Sequence, residues 1–205
     1  MPVILPGQTD IYALTDARLS CGRTLETVVS ALLGAGVKII QYREKHMKSG
    51  EMLEECRLMR RLTREAGACF IVDDHVDLAI LAEADGVHIG QEDFPLPAVR
   101  QLVGPKMCIG LSTHSPEQAR AAGVGPIFAT KTKEDVVAPV GFDYLDWVAA
   151  NISIPFVAIG GIKEHNITDV ARHGARCCAL VSELVGAPDI AAKVQAVRAA
   201  MQRGM

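Results

Sequence analysis

The chain has 205 residues, is 22% charged and carries a formal net charge of −3, with no basic run, which excludes a polycationic nucleic-acid binder. Apolar residues make up 49% and aromatic residues only 4%, so the core is aliphatic and stacking platforms for single-stranded bases are lacking. The first residues show no charged segment leading into an apolar one, no apolar run approaches membrane-spanning length, and six cysteines occur without a C-x-x-C pair, so neither a leader, a membrane span, a disulfide framework nor a zinc site is expected.

Strand-like and helix-like patterns alternate along the whole chain. IYALTD (11–16) opens as a strand, and TLETVVSALLGAG follows as a helix with a glycine stop. VKIIQYR (37–43) precedes GEMLEECRLMRRLTREAG, whose Leu53, Cys56, Leu58, Met59 and Leu62 fall on one side. Next come CFIVDD (69–74) with VDLAILAEADG, GVHIG (86–90) with PLPAVRQLVG, and MCIGLST (107–113) with SPEQARAAG, where Ser115 and Pro116 make a helix start. VGPIFAT (124–130) with FDYLDWVAANIS, PFVAIGG (155–161) with ITDVARHGA, and CCALVS (177–182) with IAAKVQAVRAAMQR complete the series. Eight apolar strands alternating with helices predict one domain over 1–205, a (β/α)8 TIM barrel. An open doubly wound sheet is the alternative. Buried thiols fit a reducing compartment, so the expected location is cytoplasmic and the expected partners are small molecules, with no nucleic acid and no membrane; a homo-oligomer is left open.

In either architecture ligands bind at the C-terminal ends of parallel strands. Those ends carry Gln41, Arg43 and Lys45; Asp73, Asp74 and His75; Gln91, Glu92 and Asp93; Ser112, Thr113 and His114; Thr130, Lys131, Thr132 and Lys133; Gly160 and Gly161; and Val181 and Ser182. Period-2 alternation puts Gln41, Arg43 and Lys45 on one face. Arginine grips phosphate oxygens bidentately and lysine as a point charge. A glycine pair after the seventh strand admits a second phosphate to the backbone, and Asp74 with Asp93 offers hard oxygens to Mg2+. Each feature also has a plain reading. Charges past a strand are often solvated, Asp74 could cap the next helix, the glycines could form a turn, and His88 reads as a hydrogen-bonded interior histidine. No Walker A, G-x-S-x-G or H-E-x-x-H pattern occurs. The reading of a phosphorylated ligand rests on convergence at one rim.

YALTD, QYREK, ADGVHIGQED, GLSTHS, GPIFATKTK, AIGGI and ALVS, in this order over nearly the whole chain, resemble the thiamine-phosphate synthase family. The resemblance implies a (β/α)8 barrel that joins a hydroxymethylpyrimidine diphosphate to a thiazole phosphate with Mg2+, pyrophosphate departing first. It implies that Gln41, Tyr42, Arg43, Glu44 and Lys45 bind the pyrimidine diphosphate, with Asp73 beside them and Asp74 and Asp93 on the metal. Ser112 and Lys133 would touch the pyrimidine or the leaving pyrophosphate. Thr130, Lys131, Thr132, Gly161, Val181 and Ser182 would hold the thiazole phosphate. Arg43, Lys45, Lys133 and Ser112 would be the catalytic set. Two departures stand out. Asp73-Asp74 replaces the family's usual Asn-Asp, and the stretch between Ser112 and Thr130 is about eight residues short, so the barrel is expected with its unit 5–6 shortened. A thiazole tautomerase of the related subfamily and a non-catalytic thiamine-phosphate-binding barrel are the alternatives; the retained QYREK and aspartates argue against the first.

Overall fold

The computed structural model describes residues 4–119, 127 and 139–205. Among the described residues six parallel strands form one sheet in the order β5-β4-β3-β2-β1-β6. They are β1 (Ile11–Leu14), β2 (Ile39–Tyr42), β3 (Cys69–Asp73), β4 (Gly86–Ile89), β5 (Cys108–Leu111) and β6 (Cys178–Leu180). Neighbours in sequence are neighbours in space from β1 to β5, and β6 returns to the free edge of β1, with Tyr12 opposite both Ile39 and Ala179. The helices are α1 (Leu25–Gly34), α2 (Ser49–Glu65), α3 (Val76–Leu81), α4 (Leu96–Val103), α5 (Pro116–Ala119), α6 (Gly141–Asn151), α7 (Ile167–Arg172), α8 (Ser182–Val185) and α9 (Ile190–Gln202).

Both faces of β1, β2 and β6 are buried, as a helix-covered parallel sheet requires, and β5 at the edge is only half-buried. Alternate residues sort into two apolar clusters. Ile11, Ala13, Ile40, Tyr42, Phe70, Val72, Val87 and Ile89 pack outward against the helices. Tyr12, Leu14, Ile39, Cys69, Ile71 and Ala179 pack against each other on the inner face. Two inner-face glycines are set by their neighbours. A Cβ on Gly86 would lie 2.6 Å from Ile71 Cδ1, and one on Gly110 would lie 2.5 Å from His88 Nδ1.

The helices begin and end where local chemistry dictates. The Thr24 side chain accepts from Thr27 N–H to cap α1, and Asp189 caps α9 through Ala192 N–H. Gly36 takes φ 80° just past α1. On α2 the buried stripe is Met52, Cys56, Met59 and Thr63, sharing Cys56 and Met59 with the stripe read in the sequence, with Thr63 Oγ1 donating to Met59 O at 2.8 Å. The molecule is tied across its ends by Arg198 of α9, whose Nε donates to Asp10 Oδ2 at 2.7 Å and whose Nη1 donates to Ala35 O at 2.6 Å.

The expected eight-stranded barrel is seen only in part. In the segment read as the seventh strand, 155–161, the described residues show one parallel bridge, between Ala158 and Cys178. Pro155 withholds a ladder N–H at its start, and Gly160 and Gly161, at φ 101° and 61°, turn the chain at its end. Of the expected sixth strand, 124–130, only Ile127 is described; its N–H donates to Ile159 O at 2.7 Å. Among the described residues no helix is long and apolar enough to cross a membrane.

Candidate functional site

The inner-face column of β2 runs Ile39, Gln41 and on to Arg43, so alternation delivers these side chains to the mouth. Tyr42 faces the other way. Its side chain is buried under α2 and its hydroxyl donates to Glu55 Oε2 at 2.7 Å, while burial and the Glu55 carboxylate push the phenol pKa up. Glu44 is likewise turned to the protein, its Oε1 accepting from the N–H groups of Lys45 and His46 at 2.8 Å each. Of the five consecutive residues expected to meet a pyrimidine diphosphate, Gln41, Arg43 and Lys45 therefore present side chains to the mouth, and Tyr42 and Glu44 hold the loop.

Arg43 is buried and braced at both ends. Its backbone N–H donates to Thr15 Oγ1 at 3.0 Å, and its Nη1 donates to Asp16 Oδ2 at 2.9 Å. Asp73 Oδ2 lies 3.7 Å from Arg43 Nε and 3.2 Å from Lys45 Nζ. Asp74 completes the cluster with a short ion pair to Lys45 Nζ. Burial would lower the Lys45 pKa, but Asp73 and Asp74 outweigh it and raise it. Three carboxylates thus surround two cations. Asp74 sits at φ 60°, a conformation aspartate tolerates better than most residues. It does not cap α3: the cap position is His75, without a side-chain cap bond.

Gln41 has a buried amide. Its Nε2 donates to Tyr12 Oη at 3.0 Å, and its Oε1 has no hydrogen-bond partner among the described residues. A buried acceptor left open is unfavourable by roughly 1–3 kcal/mol. The Tyr12 phenol is held protonated by burial first and by the Asp73 carboxylate second.

On the next two strands His88 and Ser112 meet. His88 Nε2 and Ser112 Oγ are 2.8 Å apart, and the Ser112 carbonyl accepts from Gln91 Nε2 at 2.6 Å. The absence of a side chain at Gly110 is what admits the imidazole. His88 is thus the hydrogen-bonded interior histidine expected, and its partner is a candidate catalytic residue. Asp93 follows β4, its Oδ2 accepting from Gly90 N–H at 2.6 Å. Asp74 N–H donates to His88 O at 2.8 Å, so the two metal candidates sit at the ends of neighbouring strands. Among the described residues no group of three or more His, Cys, Asp or Glu side chains is gathered tightly enough to hold a metal alone.

At the other side of the mouth, Gly161 and Ser182 follow consecutive strand positions. Val181 is the residue before α8, and Ser182 Oγ accepts from Lys163 Nζ at 2.8 Å. Burial raises the Glu183 pKa, but the Glu164 N–H and then Lys163 and Lys193 bring it below the usual carboxylate value. Thr130, Lys131, Thr132 and Lys133 lie outside the described residues.

Sequence reasoning missed Asp16, His88 as the partner of Ser112, and Lys163. Asp16 was legible: it ends β1 two residues beyond Leu14, on the same inward alternation that singled out Arg43.

A family model described as thiamine monophosphate synthase matches residues 11–184. The chain belongs to the thiamine monophosphate synthase family. It is 55% identical to a thiamine-phosphate synthase of Lawsonia intracellularis over 212 aligned positions, covering 98% of both chains. It is 59% identical to one of Pelotomaculum thermopropionicum, covering 96% of this chain and 94% of that one. Among solved structures it resembles a thiamine phosphate pyrophosphorylase from Pyrococcus furiosus, at TM-score 0.85 and 32% identity over 96% of each chain.

Proposed function

We propose that the chain couples 4-amino-2-methyl-5-hydroxymethylpyrimidine diphosphate to 4-methyl-5-(2-phosphoethyl)thiazole, giving thiamine phosphate and pyrophosphate. Family membership gives the reaction class. The observation that carries the site is the cluster of Arg43, Lys45, Asp73 and Asp74 beside the unpartnered Gln41 Oε1. That acceptor matches the exocyclic amino group of an aminopyrimidine, and the two cations match the diphosphate two residues further along the same strand end.

Asp73 and Asp74 bring hard oxygen donors to the mouth beside Arg43 and Lys45, which fits Mg2+. Asp74 and Asp93 would hold it. When bound, the metal supplies positive charge that neutralises the departing diphosphate. The protein does the rest by placement. Arg43, fixed by Asp16, and Lys45 screen the leaving oxygens, and Lys133 is assigned to join them. Ser112, oriented by His88, hydrogen-bonds the pyrimidine end or the leaving group. The thiazole nitrogen carries no proton, so no general base is required; a dissociative displacement needs charge neutralisation and alignment. The second anchor, at Gly161, Val181 and Ser182 with Thr130, Lys131 and Thr132, fixes the thiazole through its phosphate.

We further assign the complete fold as a single-domain (β/α)8 barrel. Ala158 beside Cys178 and Ile127 beside Ile159 continue the sheet order past β6. The buried thiols fit the cytoplasm. Incubating the protein with both substrates and Mg2+ tests the reading: thiamine phosphate and pyrophosphate should appear in equal amounts. Folded protein that yields neither rejects it.

A further inference from the structure

We propose that Lys163 is a further phosphate-binding residue, supplying the cation that meets the phosphate ester of the thiazole substrate. The inference rests on the coupling reaction proposed above and adds a residue to its second anchor. Gly160 and Gly161 both adopt positive φ, and Asn166 clamps the turn that follows. Its Nδ2 donates to Gly161 O at 3.1 Å and its Oδ1 accepts from Lys163 N–H at 2.7 Å. The backbone of Lys163 is thereby fixed beside the glycine pair. Its side chain crosses to the end of β6, where Nζ donates to Ser182 Oγ at 2.8 Å and lies 3.3 Å from Glu183 Oε2. One ammonium group therefore joins the loop after the seventh strand segment to the first residue of α8.

The chemistry of that spot asks for such a group. Gly161, Val181 and Ser182 offer neutral backbone and one hydroxyl, so Lys131 is the one cation so far assigned to a phosphate monoester that carries close to two charges near neutral pH. A lysine is a compact point charge with three donors. An oxygen accepting from Ser182 would lie within reach of Lys163 Nζ after a small side-chain rotation. The lysine is also free to make that exchange. Glu183 keeps a second cation in Lys193 at 3.5 Å and accepts from Glu164 N–H at 3.2 Å, while Lys193 holds Glu164 at 2.7 Å. The side chain of Lys163 is one-third exposed, and an ion pair that accessible contributes little to stability. A purely structural reading thus leaves most of this placement without a purpose.

Lys163→Met should raise the KM for the thiazole phosphate about tenfold, leave the KM for the pyrimidine diphosphate unchanged, and leave the thermal midpoint within a few degrees. Lys163→Arg should recover most of the lost affinity. Glu183→Gln, which removes the competing carboxylate, should lower the thiazole phosphate KM. The dephosphorylated thiazole alcohol should be used equally poorly by the wild type and Lys163→Met. An unchanged thiazole phosphate KM in Lys163→Met, or equal changes for both substrates, overturns the proposal. If the wild type makes no thiamine phosphate, the coupling reading fails on its own. Titration of inorganic phosphate into wild type and Lys163→Met then decides this one: weaker binding by the variant supports it, and equal binding or none in the wild type overturns it.

Discussion

Replacing Asp73 with Asn should tighten pyrophosphate binding, although Asp73 lies inside the site. The carboxylate sits 3.2 Å from Lys45 Nζ and 3.7 Å from Arg43 Nε, where a diphosphate oxygen would be expected to bind. It neutralises the cations before substrate arrives and repels the substrate afterwards. Two unit charges about 4 Å apart interact by ~1 kcal/mol in a water-like medium and by ~4 kcal/mol at an effective dielectric constant near 20. Asp73 is 12% exposed but the mouth is open, so the lower part of that range applies. A gain of about 1.4 kcal/mol corresponds to tenfold tighter binding. Asn keeps the shape, and Arg43 keeps its bond to Asp16 at 2.9 Å, so the cations stay in place. Calorimetric titration of inorganic pyrophosphate with chelator present isolates the effect from any metal. Tighter binding by Asp73→Asn confirms the internal counter-ion; weaker binding shows that Asp73 organises the site instead, and equal binding shows that its charge is not felt.

Gly110→Ala would place a methyl group 2.5 Å from His88 Nδ1. The imidazole must shift off Ser112, so turnover should fall at least tenfold while stability falls by about 1–3 kcal/mol; full activity in steady-state assays would separate His88 from Ser112 function. Thiol reactivity should be strongly uneven at pH 8. Burial pushes Cys56, Cys69 and Cys177 to about 12, whereas Cys21 is exposed, so a colorimetric disulfide reagent should show a fast phase that Cys21→Ser removes. Glu183 has a folded pKa below its ordinary value of 4.5. Its contribution to stability is therefore present above that value and lost as pH falls through the lower folded pKa, so Glu183→Gln should flatten the acid limb of a thermal-midpoint profile below pH ~4.5.

The alternation of apolar strands and helices was enough to place β1 to β6 and most of the helices, because continuous apolar runs such as CFIVD and GVHI have no other stable home. The same alternation located Gln41, Arg43 and Lys45 on one face. It also sends Tyr42, of opposite parity, under α2. Of the seventh strand read in PFVAIGG, the described residues show one parallel bridge, Ala158 to Cys178, and apolar content registers neither the missing donor at Pro155 nor the turn at Gly160 and Gly161. Pairings between distant side chains, such as His88 with Ser112 and Lys163 with Ser182, depend on strand register and loop course. Period and composition contain neither.

Because the first strand completes its pairing only with the last, the protein leaves the ribosome with an open seam. Ile11 to Ala13 must wait for Cys178 to Leu180, and Asp10 for Arg198, 188 positions further along. At ~5–20 residues per second that interval is on the order of ten seconds or more. During it, one border of β1 stays available to any other nascent chain. Truncation from the C-terminus should accordingly yield aggregates rather than smaller soluble proteins.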